Sequence, residues 1–335
     1  MKYKNLSIYL GSKCNANCTY CHRNVTDDVS LSTYFLQNIS ENEHLQKIKF
    51  FGGEPTLYLS EMQSIINALP NKNIKKWIST NGLLLTDDKI FEFILNNNFI
   101  VTISYDGSRG LRNYKNIFDS EQYLKRLQQL NQIDTSTTIF SNNIFYFTDL
   151  LKEFSELSRK TKKNVTLYPH FMHCLNRSKQ MLSLSLTVDH MKEYLKQYKK
   201  YVAKYLHDYW YYGITNIKLE KLNWHLENKL KTFFTPGETI CVNCNSVKTD
   251  VQGNCYYCLY KRDKSTYLGT VNDSSDDILL RSQKLIDIYS PKCLKCSLYP
   301  HCGAACILSE THYVECYFYK NILPWYQDEL SKYVS

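Results

Sequence analysis

Cys14, Cys18 and Cys21 fall in one short loop, Cys14-Asn15-Ala16-Asn17-Cys18-Thr19-Tyr20-Cys21. Three thiolates at this spacing can hold three irons of a [4Fe–4S] cubane and leave the fourth iron open to a small molecule; a structural cluster closes with a fourth Cys. Zinc is the competing reading of such a loop taken alone. The loop follows Leu6-Ser7-Ile8-Tyr9-Leu10, whose alternation reads as a buried strand. Lys47-Ile48-Lys49-Phe50-Phe51 forms a second strand and runs into Gly52-Gly53-Glu54-Pro55. Glycines at a strand end let backbone approach a ligand closely, and Pro55 fixes the exit. The Glu54 carboxylate there suits an ammonium group. An ordinary strand–helix turn is the plain alternative.

A second concentration of chemistry lies near the C-terminus. Of 13 cysteines, three sit in the first loop, Cys174 stands alone, and the remainder run from Cys241 to Cys316. Cysteine use is too sparse for a disulfide scaffold, and a reducing compartment favours metal binding or catalysis. Cys241-Val242-Asn243-Cys244 and Cys255-Tyr256-Tyr257-Cys258 suggest a zinc ribbon, yet the count exceeds one zinc and His301 and His312 lack partners at ribbon spacing. Two four-thiolate clusters use the count better. Val247–Val251 and Asn254–Tyr260 flank Gln252-Gly253 and read as a β-hairpin. Cys255 and Cys258 then face opposite sides, and Cys258 is the preferred ligand.

Between these regions the chain alternates strand and helix. Helices are predicted over Leu31–Ser40, Glu61–Leu69, Asp87–Leu95 (with Thr86 as N-cap), Glu121–Leu130, Phe147–Arg159 and Leu186–Tyr211. Strands three to six are predicted over Lys76–Thr80, Phe99–Ser104, Asp134–Phe140 and Val165–Tyr168. Six such units imply an α/β fold, a (β/α)6 partial TIM barrel with right-handed crossovers and ligands at the C-terminal strand ends. Polar residues collect there: Ser79, Thr80 and Asn81 after strand three, Ser104 and Asp106 after strand four. His170, His173 and Cys174 follow strand six. The long helix carries an amphipathic stripe of Tyr194, Tyr198, Tyr201, Val202, Tyr205, Leu206 and Tyr209. The expected division is a barrel over 1–212, a linker over 213–238, a cysteine-rich domain over 239–320, and a helical tail over 321–335.

The Cys14/Cys18/Cys21 loop together with Phe51-Gly52-Gly53-Glu54-Pro55 resembles the radical S-adenosylmethionine (SAM) family. The resemblance implies that the three cysteines hold the cluster whose open iron takes the amino and carboxyl groups of SAM. Gly52, Gly53, Glu54 and Pro55 would meet the methionine amino group, Ser79, Asn81, Ser104 and Asp106 would line the SAM site, and Tyr20 would lie near the adenine. The C-terminal cysteines resemble the SPASM extension of peptide-modifying members, a small domain with two auxiliary clusters. Carried across, Cys241, Cys244, Cys258 and Cys306 would hold one, and Cys293, Cys296, Cys302 and Cys316 the other. The implied cofactors are SAM and three [4Fe–4S] clusters.

The implied activity is maturation of a ribosomally made precursor peptide: a 5′-deoxyadenosyl radical abstracts hydrogen, and an oxidative carbon–carbon, carbon–oxygen or thioether crosslink follows. An epimerase with Cys174 as hydrogen donor, and His173 beside it, is a second reading. A sulfatase-type formylglycine maturase is disfavoured, since those enzymes carry Asp after the third ligand of the first auxiliary cluster and this chain has Leu259. A metal-binding interaction protein is the non-enzymatic alternative. Expected partners are a reductant such as flavodoxin or ferredoxin and, because the sequence opens at the barrel, a separate leader-binding protein or the barrel itself in that role. A net charge of +9 fits an acidic partner peptide or plain solvated helix faces. No nucleic-acid module, membrane span or export leader is read, which points to the cytoplasm.

Overall fold

The computed structural model describes residues 3–22, 30–112, 117–175, 179–214, 217–239, 241–243 and 245–334. Six strands, β1 (Asn5–Tyr9), β2 (Lys47–Phe51), β3 (Lys75–Thr80), β4 (Ile100–Ser104), β5 (Ile133–Ile139) and β6 (Pro169–Phe171), run parallel in chain order. Between them lie α1 (Thr33–Ser40), α2 (Leu59–Asn67), α3 (Asp88–Asn96), α4 (Glu121–Leu127) and α5 (Phe147–Thr161). This is the expected partial barrel. Along β2, Ile48 and Phe50 are wholly buried against the helices while Lys47, Lys49 and Phe51 are half-buried on the other face. The same alternation on β1 and β4 gives an apolar outer layer, while β5 buries Thr135 and Thr137 between Ile133 and Ile139.

Local chemistry moves several boundaries. Asp87, rather than Thr86, caps α3, accepting from the Ile90 N–H at 3.0 Å. The sixth strand lies four residues later than 165–168, where only Thr166 bridges to Asp134. Pro169 opens it, and the missing N–H is tolerated because β6 is an edge strand. After α6 (Lys179–Ser183), the long helix α7 (Val188–Tyr212) buries Tyr194, Tyr198, Val202, Tyr205 and Leu206, but Tyr209 is exposed. The stretch expected as a linker is largely helix, α8 (Ile217–Lys231).

The C-terminal region joins the same sheet. β7 (Ser246–Asp250) pairs parallel with β1 on the side away from β2, placing Lys248 opposite Ser7. β8 (Asn254–Tyr256) returns antiparallel, the expected hairpin with Gly253 at φ +87°, and β9 (Tyr267–Thr270) completes the order β6-β5-β4-β3-β2-β1-β7-β8-β9. Then follow α9 (Ser275–Tyr289), α10 (Pro291–Leu294), α11 (Tyr299–Cys302) and α12 (His312–Val334), so the C-terminal helix starts before residue 321 and carries Cys316. α12 packs on α7 through Phe318, whose ring meets Tyr194 and Tyr198. Among the described residues, no helix is long and apolar enough to cross a membrane.

Candidate active site and cysteine centres

The cysteine loop leaves β1 and is held from beneath by the turn after β2. The Gly53 N–H donates to the Gly11 carbonyl and the Glu54 N–H to the Lys13 carbonyl, both at 2.8 Å. A β-carbon on Gly53 would stand 2.3 Å from the Lys13 carbonyl oxygen, and one on Gly52 2.5 Å from that of Gly11. The glycines thus let one backbone lie on another; the partner they admit is the cysteine loop itself. Asn81, at the end of β3, donates to Asn15 Oδ1 at 2.7 Å and approaches Cys14 Sγ at 3.8 Å. Cys14 and Cys18 are half-buried and Cys21 is exposed. Burial pushes the Cys18 thiol up to about 11; the Arg112 guanidinium opposes this, and charge on Cys21, Asp106 and Cys14 adds to it. Binding to iron removes such a proton outright.

Glu54 is fully buried, and its carboxylate is occupied by protein. It accepts from Thr80 Oγ1 at 2.7 Å, Thr56 Oγ1 at 2.6 Å, the Thr56 N–H at 3.1 Å and the Asn81 N–H at 2.7 Å. Burial raises its pKa against the pull of these bonds. The carboxylate therefore ties β2 to β3 beneath the cysteine loop. Pro55 is buried beside it, Ser79 and Ser104 are half-buried on the lumen face, and Asn81 is buried.

Asp106 is likewise enclosed. It meets Arg112 Nε at 2.9 Å, accepts the Thr138 N–H at 2.8 Å, and receives the Tyr20 hydroxyl. Tyr20 lies 6.0 Å from Phe140, with the Arg112 guanidinium 5.6 Å over its ring. Arg112 was not singled out from sequence; its separation from Asp106 by a loop holding Gly107 and Gly110 was the available signal. The residues after β6 divide. His170 faces the lumen on β6, and burial with the Lys49 and His173 charges holds it down to about 3. His173 Nδ1 is 3.9 Å from Glu315. Cys174 is wholly buried in an apolar cluster with Tyr20, Phe140 and Met172; its N–H donates to Ser309 Oγ at 3.1 Å.

The C-terminal cysteines form two groups. Lys248 on β7 lies beside Cys241, Cys258 and Cys306, whose thiolate charge raises its pKa against burial. Cys244 lies outside the described residues. Cys255 is wholly buried in the hydrophobic core, among Asp250, Asp273 and Arg281 rather than other cysteines. Cys293, Cys296, Cys302 and Cys316 line a cavity of about 540 Å³ with Tyr299 and His312. Gly303, Ala304 and Ala305 are left-handed at φ +61°, +61° and +50°. That turn sends Cys302 to the cavity and Cys306 to Lys248; two non-glycine residues in this conformation cost about 1–2 kcal/mol each. His312, expected to be unpaired, joins the groups: Nε2 is 3.5 Å from Cys293 Sγ and Nδ1 is 3.2 Å from the Cys306 carbonyl. Among the described residues no three His, Cys, Asp or Glu side chains close on a single metal ion. A cubane carries each thiolate on a separate iron, and the four cysteines on the cavity wall and the buried cation at the other group suit such an anionic cluster.

Residues 8–157 match the radical SAM superfamily. The chain is 23% identical over 347 residues to the radical SAM cyclopropyl synthase TigE of Paramaledivibacter caminithermalis, covering 91% of this chain and 68% of that protein. It is 23% identical over 335 residues to a cysteine-type anaerobic sulfatase-maturating enzyme of Clostridium perfringens, covering 88% and 86%. Among solved structures, native anSMEcpe with bound AdoMet is similar at a TM-score of 0.69 and 19% identity, covering 98% of this chain and 99% of that one. Streptococcus suis SuiB bound to precursor peptide SuiA is similar at 0.58 and 14%, covering 92% and 72%. The chain thus carries a radical SAM domain over residues 8–157, the stretch that holds the Cys14, Cys18 and Cys21 loop and the Gly52-Gly53-Glu54-Pro55 turn.

Proposed function

We propose that this enzyme matures a ribosomally made peptide by forming an oxidative crosslink within it. The radical SAM domain over residues 8–157 brings SAM and an iron–sulfur cluster as cofactors and sets aside the reading as a non-catalytic metal-binding protein. When bound at Cys14, Cys18 and Cys21, cluster and SAM supply the 5′-deoxyadenosyl radical. The chain's own residues fix that centre: Gly53 and Asn81 hold the loop, Glu54 locks the strand ends beneath it, and Asp106 with Arg112 and Tyr20 walls it. Misplacement by about 1 Å at such a centre costs about 100-fold in rate.

The observation that carries the crosslinking reading is the sorting of the C-terminal cysteines. Cys241, Cys258 and Cys306 gather at Lys248 and, separately, Cys293, Cys296, Cys302 and Cys316 line one cavity; with Cys244 taken from the SPASM resemblance, eight thiolates suffice to close two auxiliary clusters. Closed clusters suit electron transfer, which an oxidative crosslink requires. A peptide substrate also agrees with relatives solved with the Cp18Cys peptide and with precursor peptide SuiA. The formylglycine reading is weakened by Leu259, which is only 2% exposed and carries no acid.

Cys174 favours one second reading, an epimerase, because it lies in the apolar cluster that holds Tyr20 and against which Cys18 packs. Co-expression with short open reading frames from the same locus, followed by mass spectrometry, separates the two. A crosslinked peptide loses two hydrogens, and Cys174→Ala leaves that yield within about twofold. An unchanged peptide mass with an inverted centre, abolished in Cys174→Ala, establishes the epimerase and removes the crosslink.

A further inference from the structure

We propose that the lumen beneath the radical centre binds a carboxylate of the substrate peptide, an aspartate or glutamate near the modified residue, through Lys49. The inference rests on the peptide reading and narrows it to acidic peptides. Strand register sets Lys248, Ser7, Lys49 and Trp77 in one row across β7, β1, β2 and β3. Their neighbours along the strands, Val247, Ile8, Ile48, Phe50 and Ile78, are wholly buried on the opposite, helix-covered face. Lys47 lies two residues along β2 on the same side, and His170 and Asp134 face the lumen from β6 and β5.

The cations are not equivalent. Lys248 stands beside the Cys241, Cys258 and Cys306 thiolates. Lys47 Nζ lies 5.3 Å over the Trp77 ring. Asp134 accepts from Gln132 Nε2 at 3.2 Å and Thr166 Oγ1 at 3.3 Å. Lys49 is left: among the described residues it has no hydrogen bond or ion pair. Burial lowers its pKa, the Lys47 and Lys248 charges lower it further, and Asp134 opposes them.

Enclosed like charges oppose folding, and an enclosed ammonium without an anion more so. A carboxylate at Lys49 relieves both costs, and Ser7 offers a hydroxyl beside it. Lys49 lies three residues before Gly52, about 10 Å down the strand from the turn that holds the cysteine loop. An acidic side chain held there leaves an adjacent residue of the peptide at the lumen mouth, where the radical forms.

The test uses the anaerobically reconstituted enzyme with SAM and two probes, acetyl-Gly-Glu-Gly-amide and acetyl-Gly-Gln-Gly-amide, titrated calorimetrically at equal ionic strength. The Glu peptide is expected to bind at least about 10-fold more tightly. Lys49→Met and Lys49→Gln should bring it to the level of the Gln peptide, with iron content equal to the parent's showing that the variants are loaded. Equal binding of both peptides, or a preference that survives both substitutions, overturns the carboxylate site and leaves the peptide reading standing. Binding of neither peptide overturns the site and counts against the peptide reading as well.

Discussion

Replacing Gly53 by Ala puts a β-carbon 2.3 Å from the Lys13 carbonyl oxygen and 2.5 Å from that of Ser12. Both obstacles are backbone, so no side chain can swing away. To regain an ordinary contact of 3.4 Å, the Lys13 carbonyl must withdraw by about 1 Å, and Cys14 is the next residue. The withdrawal also breaks the 2.8 Å bond from the Glu54 N–H. Overpacking and the lost bond together cost about 2–4 kcal/mol, and a displacement of this size at the cysteine loop lowers the chemical rate about 100-fold. The assay is anaerobic release of 5′-deoxyadenosine, read beside iron content and the urea unfolding midpoint. Gly213→Ala is the control: that glycine is left-handed, at φ +64°, but nothing lies within 4 Å of its β-carbon position. It should lose about 1–2 kcal/mol and keep its rate. A Gly53→Ala enzyme with parental iron, stability and rate would show that the close approach does not position the loop.

Three other perturbations have definite outcomes. Cys258→Ala should lower the iron content from about 12 to about 8 per chain while Cys255→Ala leaves it at about 12; the reverse pattern would exchange their roles. Asp106→Asn removes the anion from a buried ion pair with Arg112 and should cost about 3–5 kcal/mol by urea unfolding, so a loss below about 1 kcal/mol contradicts its bracing role. His170 has a folded pKa of about 3, below its unfolded value near 6.5. The unfolded chain therefore takes the proton first, and the His170 contribution, complete above about pH 6.5, is lost as pH falls towards 3. Its accessible lumen face screens the effect, and His170→Gln should flatten stability against pH between about 7 and 5; an unchanged slope refutes the assignment.

The barrel was legible because its strands alternate with amphipathic helices and the outward faces of β1, β2 and β4 are apolar: Ile48 and Phe50 announce β2 without tertiary information. β6 was not, because Val165-Thr166-Leu167-Tyr168 has higher strand propensity than Pro169-His170-Phe171, and only the register against Thr137 and Ile139 decides between them. The helix within the expected linker over 213–238 was not read from sequence because α8 draws its stability from tertiary burial of Leu219, Leu222 and Leu226. At the site, spacing located the cysteine loop and the Gly-Gly-Glu-Pro turn but not their relation. That Glu54 bonds inward to Thr56, Thr80 and Asn81 depends on a neighbouring strand. The preference for Cys258 over Cys255 followed from strand alternation alone, and the two residues do lie in different surroundings. Lys248 and Lys49 gave no local signal, since a lysine in a strand looks the same whether it faces solvent or an enclosed lumen.

The central claim is that Cys14, Cys18 and Cys21 hold a cluster that cleaves SAM reductively. The direct measurement is liquid chromatography of the anaerobically reconstituted, dithionite-reduced enzyme incubated with SAM, beside a variant with all three cysteines changed to Ala. The account expects 5′-deoxyadenosine and methionine from the parent and neither from the variant, with both proteins retaining their C-terminal iron. No 5′-deoxyadenosine from an iron-replete parent, or equal amounts from both, contradicts it.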